Sequence, residues 1–389
     1  MSVTEPQGFR AAGVAAGLKS TGARDVAVVV NDGPLHHAAA VFTSNRVAAA
    51  PVHWSRQVVA DGRVDAVVLN SGGANACTGP QGFQNTHKTA EVTAETLGIS
   101  ATDVFVCSTG LIGEQLPMDK LLAGVGEAVQ HLSDGGGPAA AAAIMTTDSV
   151  PKTASYPSSP DEPSEGYSIG GMAKGAGMLA PGLATMLVVL TTDALVDSET
   201  LDTALRAATR VTFDRTDSDG CMSTNDTVVV LASGASGVKA DPAQFAEALT
   251  GVCSELAHQL IEDAEGASHT IAIRTINAAT ETDAETVGRA VARSNLFKAA
   301  IFGKDPNWGR VLAAVGTTDA AFEPDRLDVA MNGVQICRDG GIGEPRELVD
   351  LAPRLVTVEI NLNAGSESAT IWTNDLTHDY VHENSAYSS

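Results

Sequence analysis

Apolar residues follow two rhythms along this chain, short unbroken runs and longer stretches with helical spacing. The runs Asp25–Val30, Ala66–Leu69 and Val104–Cys107 are Val-rich and bounded by polar or Gly turns, and they predict buried strands. Between them, Asn85–Leu97 has helical spacing and stops at Gly98, a residue suited to the left-handed position after a helix. Met118–Leu132 predicts a second helix, and Ala139–Met145, just after Pro138, a short buried one. In the second half, Asp197–Val211 places Leu201, Ala204, Leu205, Ala208 and Val211 on one helical face. Asp241-Pro242 opens a helix carrying Phe245, Leu249, Val252, Leu256 and Leu260, and Thr282-x-x-Glu285 reads as the capping box of another. Met186–Leu190 is strand-like. Arg354–Leu362 and Glu367–Trp372 alternate as strands, and Asn363-Ala-Gly365 between them predicts a hairpin.

Composition narrows the function classes. With 24 Lys+Arg against 47 Asp+Glu the formal charge is −23, which repels phosphate backbones and anionic headgroups. Nucleic acid and membrane surfaces are therefore not expected partners. No apolar run reaches the roughly 18 residues of a membrane helix. Met1–Arg10 shows neither a basic start nor an apolar core, so a cytoplasmic protein is expected. Hydrophobic residues at 44% against 18% charged support a real core. Aromatics at 4% mean that Val, Leu, Ile and Ala must build it. The cysteines Cys77, Cys107, Cys221, Cys253 and Cys337 form no C-x-x-C pair and are expected as buried thiols. The 389 residues suggest two or three domains by length alone, and no internal repeat is visible.

The most unusual stretch follows the Pro/Ser/acidic surface loop Tyr156–Gly166. Gly175-Ala-Gly177-Met-Leu-Ala180 matches a dinucleotide fingerprint, but Pro181-Gly182 and an apolar β-like run follow where a helix is required. No cofactor is expected there. Ala184-Thr185 carries a different chemistry. Cutting the bond before Thr185 would place an α-amine on the same residue as the hydroxyl, and an amine with an ordinary pKa near ~8 can serve as its base. The plain alternative is a β-branched residue opening a strand.

Several segments decide between these alternatives. Lys174-Gly-Ala-Gly-Met-Leu-Ala-Pro-Gly-Leu-Ala-Thr185 resembles the self-processing site of the ornithine acetyltransferase (glutamate N-acetyltransferase) family. Asn70–Asn75, Cys107–Gly113, Ile144–Asp148, Ser223–Thr227, Asp305–Arg310 and the tail Asn384–Ser389 resemble that family's segments in the same order. The resemblance implies an α/β fold, a layered αββα sandwich of the DmpA/ArgJ-like type, self-cleaved into chains 1–184 and 185–389. It implies Thr185 as nucleophile and Thr109 and Gly110 as the oxyanion hole. Thr146, Lys174, Thr185, Glu265, Asn384 and Ser389 would be the substrate contacts, with Asn307 and Arg310 second-rank candidates. The implied reaction moves the acetyl group of N2-acetylornithine to glutamate in arginine biosynthesis; some members also take acetyl-CoA as co-substrate. The implied assembly is an α2β2 heterotetramer. An N-terminal-nucleophile aminopeptidase or amidohydrolase of related fold is the alternative.

Some residues also have plain readings. Glu262, Asp263 and Glu265 crowd a helix end, where a bound ammonium would relieve them, or where they form a solvated acidic surface. Lys174 could hold a substrate carboxylate or be a solvated loop lysine. His378 and His382, four apart in a segment that reads as extended, make a weak metal pair with no third ligand, so no metal is expected.

Overall fold

The computed structural model describes residues 2–157, 166–179 and 186–386. Val-rich runs form the centre of the molecule because they sit in strands covered on both faces, which favours continuous rather than alternating apolar sequence. A four-stranded sheet orders Phe9–Val14, Val26–Asn31, Ala66–Asn70 and Val104–Ser108; its last pair is parallel and the others antiparallel. A five-stranded sheet orders His37–Phe42, Thr227–Ala232, Leu187–Thr192, Ile169–Lys174 and Lys152–Tyr156. The two sheets meet through Ala27, Val29, Val67, Leu69 and Phe105 on one side and Met172, Leu187, Val189, Val229 and Leu231 on the other. Helices Gly79–Leu97 and Met118–Gln130 cover the outer face of the first sheet. Helices Ser198–Val211 and Pro242–Glu262 cover that of the second. The layers are therefore helix, sheet, sheet, helix, the expected αββα sandwich.

A third layer system was not legible in the sequence. Six strands, in the order Gly341–Ile342, Val334–Arg338, Asp328–Met331, Leu355–Asn361, Thr270–Ala278 and Glu367–Asn374, form a separate sheet. It has its own core with helices Glu281–Ala292, Asn295–Phe302 and Trp308–Val315.

Several local expectations need correction. Leu355–Asn361 and Glu367–Asn374 are not a hairpin. Thr270–Ala278 lies between them, parallel to the first and antiparallel to the second. The Asn363-Ala-Gly365 turn steps across that central strand, with the Ala364 and Gly365 amides donating to the Asn277 carbonyl. Thr280, not Thr282, caps the helix Glu281–Ala292. Thr280 is extended and its hydroxyl accepts from the Asp283 amide, whereas Glu285 turns to Arg215 and Arg289. The helix ending at Leu97 begins at Gly79, six residues before the apolar spacing starts. Val211 is 36% exposed at its helix end. Cys77 and Cys221 are exposed; Cys107, Cys253 and Cys337 are buried. His378–Ala386 is a helix rather than extended chain, and His378 packs edge-on against Phe302. No described helix is long and apolar enough to cross a membrane.

Candidate active site

The five-stranded sheet spans the expected processing point. Ile169–Lys174 and Leu187–Thr192 are antiparallel neighbours, with Lys174 opposite Leu187, only two residues along the chain from Thr185. Ala184, Thr185 and Ser389 themselves lie outside the described residues. Both flanks of the first stretch are held. The Met178 amide donates to Asp219 Oδ2 at 2.7 Å and the Leu179 carbonyl accepts from Ser218. Downstream, the Met186 amide donates to Asp226 Oδ1 at 3.1 Å and its carbonyl accepts from the Thr227 amide. Asp226 is fully buried, which pushes its carboxyl well above the usual range.

Lys174 ends an internal strand and is 1% exposed, so it is no solvated loop lysine. Its Nζ lies 3.5 Å from the Thr109 hydroxyl and 3.9 Å from Asp148 Oδ2. Burial lowers its pKa and the Asp148 charge opposes that shift. Asp148 was assigned no role from the sequence. Burial would raise its pKa, but the charges of Lys174 and Lys152 and the hydrogen bonds around it hold it at about 2.

Thr109 follows the strand Val104–Ser108. Its amide donates to Asn70 and its carbonyl accepts from Gly73, which locks the backbone and leaves the hydroxyl to Lys174. Gly110 has φ +128°, and a Cβ there would sit 2.8 Å from the Gly73 nitrogen, so only glycine fits this turn. Its amide makes no hydrogen bond with another described residue. A threonine hydroxyl and a backbone amide side by side can stabilise a developing oxyanion. Gly110 and Thr146 line a cleft of about 660 Å³ that also holds Lys19, Met145 and Thr147.

Glu265 lies past the end of the helix Pro242–Glu262 and is buried, not a solvated acid. Its Oε1 accepts from the Thr147 hydroxyl at 2.7 Å, and its Oε2 from Asn384 Nδ2 at 2.9 Å. The Glu265 amide donates to Ala176, and Gly177 approaches so closely that a Cβ would lie 2.6 Å from both carboxylate oxygens. Asn384 belongs to the helix His378–Ala386, which is seated by the Thr377 hydroxyl on the Gly266 carbonyl. Thus Thr146 and Thr147, the glycine-rich segment, Glu265 and the tail converge, although they are scattered over more than 230 positions of sequence. Among the described residues, Asn307 and Arg310 make no hydrogen bond or ion pair with this group. Asn307 caps the helix Trp308–Val315, and Arg310 donates to the Leu296 carbonyl.

Ser268, His269 and Asp375 form a second polar constellation. Ser268 and His269 both contact Asp375 Oδ2, while His269 Nε2 is tied to the Leu351 carbonyl at 3.0 Å. Ser268 Oγ also lies 3.0 Å from His269 Nδ1, but the hydroxyl donates its proton to Asp375 rather than to the ring, so the three side chains form one hydrogen-bonded cluster with no base drawing the serine proton. Among the described residues no group of three His, Cys, Asp or Glu side chains is disposed to hold a metal ion.

Residues 10–389 match the ArgJ family. The chain belongs to that family. It is 65% identical over 389 residues to the arginine biosynthesis bifunctional protein ArgJ of Streptomyces coelicolor, covering 100% of both chains. The same values hold against the protein of that name from Thermobifida fusca. Among solved structures, an ornithine acetyltransferase from Mycobacterium tuberculosis, complexed with ornithine, is 55% identical with a TM-score of 0.44. That match covers 48% of this chain and 96% of the solved one. Membership of the ArgJ family makes this chain an acyltransferase of arginine biosynthesis, in keeping with the enzyme class and fold expected from its motifs.

Proposed function

We propose that the chain cuts itself between Ala184 and Thr185 and transfers acetyl from N2-acetylornithine to glutamate through an acetyl-Thr185 ester. The observation that carries this reading is the convergence of Lys174, Thr109, Gly110, Glu265 and Asn384 around the two held flanks of the processing stretch. Thr185 Oγ loses its proton to its own α-amine and attacks the acetyl carbonyl. The Thr109 hydroxyl and the Gly110 amide hold the tetrahedral oxygen; its collapse breaks the amide bond and releases ornithine with the proton. Glutamate's amine then attacks the ester, giving N-acetylglutamate and restoring the hydroxyl. Glu265, with Asn384 and Thr147 fixing its oxygens, faces the substrate's ammonium, and Lys174 its carboxylate. Thr146 and Ser389 complete the substrate contacts.

The names of the relatives, "bifunctional", support acetyl-CoA as a second acetyl donor to the same threonine. The two products, 1–184 and 185–389, share one fold, because the five-stranded sheet takes strands from both sides of the cut. They assemble as an α2β2 heterotetramer in the cytoplasm. Intact-mass measurement should show two chains broken before Thr185, and Thr185→Ala should give one. Acetate released from acetylornithine at the same rate without glutamate would overturn the transferase reading in favour of an amidohydrolase.

A further inference from the structure

A buried chain of alternating charges runs from the acidic turn before Glu265 to the Thr109 hydroxyl: Asp263, Lys152, Asp148, Lys174. Asp148 is its hub. Oδ1 accepts from Lys152 Nζ at 2.6 Å and from the Gly175 amide at 2.7 Å. Oδ2 accepts from the Thr146 amide at 2.9 Å and faces Lys174 Nζ at 3.9 Å. Its side chain and that of Lys152 are wholly buried. We propose that Asp148 is a positioning residue for the transfer reaction, fixing Thr146, Lys174 and the start of the glycine-rich segment in one geometry. Only a carboxylate does this. It offers two anionic oxygens to three hydrogen-bond donors and the facing Lys174 amine, whereas an asparagine would turn its NH2 group toward either Thr146 and Lys174 or Gly175 and Lys152.

The proposal rests on the reading of Lys174 as a substrate contact, and it has a signature that packing alone would not give. The charged groups facing Lys174 are Asp148, Lys152, Asp226, Glu265 and, more distantly, Lys19. Removing Asp148's charge takes away the nearest anion and should lower the pH at which Lys174 loses its proton. Removing Lys152 takes away a cation and should raise it. Asp148→Asn should therefore move the alkaline limb of kcat/KM for acetylornithine down by about one pH unit, and Lys152→Met should move it up. The substrate's own amine titrates identically in every variant and cancels from the comparison. KM should rise at least about tenfold in Asp148→Asn at neutral pH, with a smaller change in kcat.

Lys174→Met is measured first. If it keeps the wild-type kcat/KM, the reading of Lys174 fails. If it is crippled while both other limbs stay fixed or move the same way, the positioning role of Asp148 fails alone. Should Asp148→Asn not fold, Lys152→Met decides: an upward limb supports the proposal. A fixed or lowered limb, or an inactive enzyme, overturns it by showing the network to be purely structural.

Discussion

Gly177→Ala tests whether the pocket is built around Glu265. The new Cβ would lie 2.6 Å from both Glu265 oxygens, against an ordinary contact beginning at 3.4 Å, so the carboxylate must retreat by about 0.8 Å. It cannot do so freely, because Thr147 holds one oxygen at 2.7 Å and Asn384 the other at 2.9 Å. A retreat of that size breaks at least one of these bonds or withdraws the carboxylate from the substrate's ammonium. A hydrogen bond to a charged group contributes about 1.5–3 kcal/mol, and ~2 kcal/mol corresponds to about a 30-fold rise in KM for acetylornithine. The backbone at Gly177 is not in the left-handed region, so alanine itself is conformationally acceptable there. Steady-state kinetics with acetylornithine and glutamate, alongside a thermal melt, separate binding from folding. An unchanged KM in a fully folded, fully processed variant would refute Glu265 as a substrate contact.

Four further outcomes are expected. Thr109→Ala should slow turnover about 10²–10³-fold without abolishing it, since the Gly110 amide remains; single-turnover acetylation of the enzyme measures this. Gly251→Ala, at an exposed helical position where an added methyl would meet only open space, should raise the free energy of unfolding by about 0.5–1 kcal/mol in urea titrations. Native alkylation should label Cys77 and Cys221 only, because burial shields Cys107, Cys253 and Cys337; mass spectrometry locates the adducts. Asp148 is held at about 2, below its ordinary value of about 3.9, so the native state binds fewer protons than the unfolded chain. Its stabilisation, on the order of 2 kcal/mol, is full above about pH 4 and disappears as the pH falls through about 2. Unfolding titrations across that window should show a steeper loss for wild type than for Asp148→Asn.

Local signals were read well wherever one segment carries its own instruction. The Val runs became strands at nearly the expected bounds, Gly98 closed its helix with φ +73°, and Asp241 capped the helix that begins at Pro242. The family resemblance nominated Thr109, Gly110, Lys174, Glu265 and Asn384 by position alone. Partnership between distant segments was not readable. Two alternating stretches joined by Asn363-Ala-Gly365 look like a hairpin until Thr270–Ala278, some ninety residues earlier, takes the place between them.

The sequence by itself determined the alternation of buried strands and amphipathic helices and the acidic balance of charge. Those properties follow from side-chain polarity and local backbone preference. Tertiary structure alone decided that Lys174 is a buried lysine rather than a solvated one, that Glu265 is gripped by Thr147 and Asn384, and that Asp148 gathers three donors beside the Lys174 amine. The reason is physical: a charge has its meaning from its solvent exposure and its partners. Both are set here by two sheets packing face to face and a C-terminal helix folding back onto the turn at Gly266.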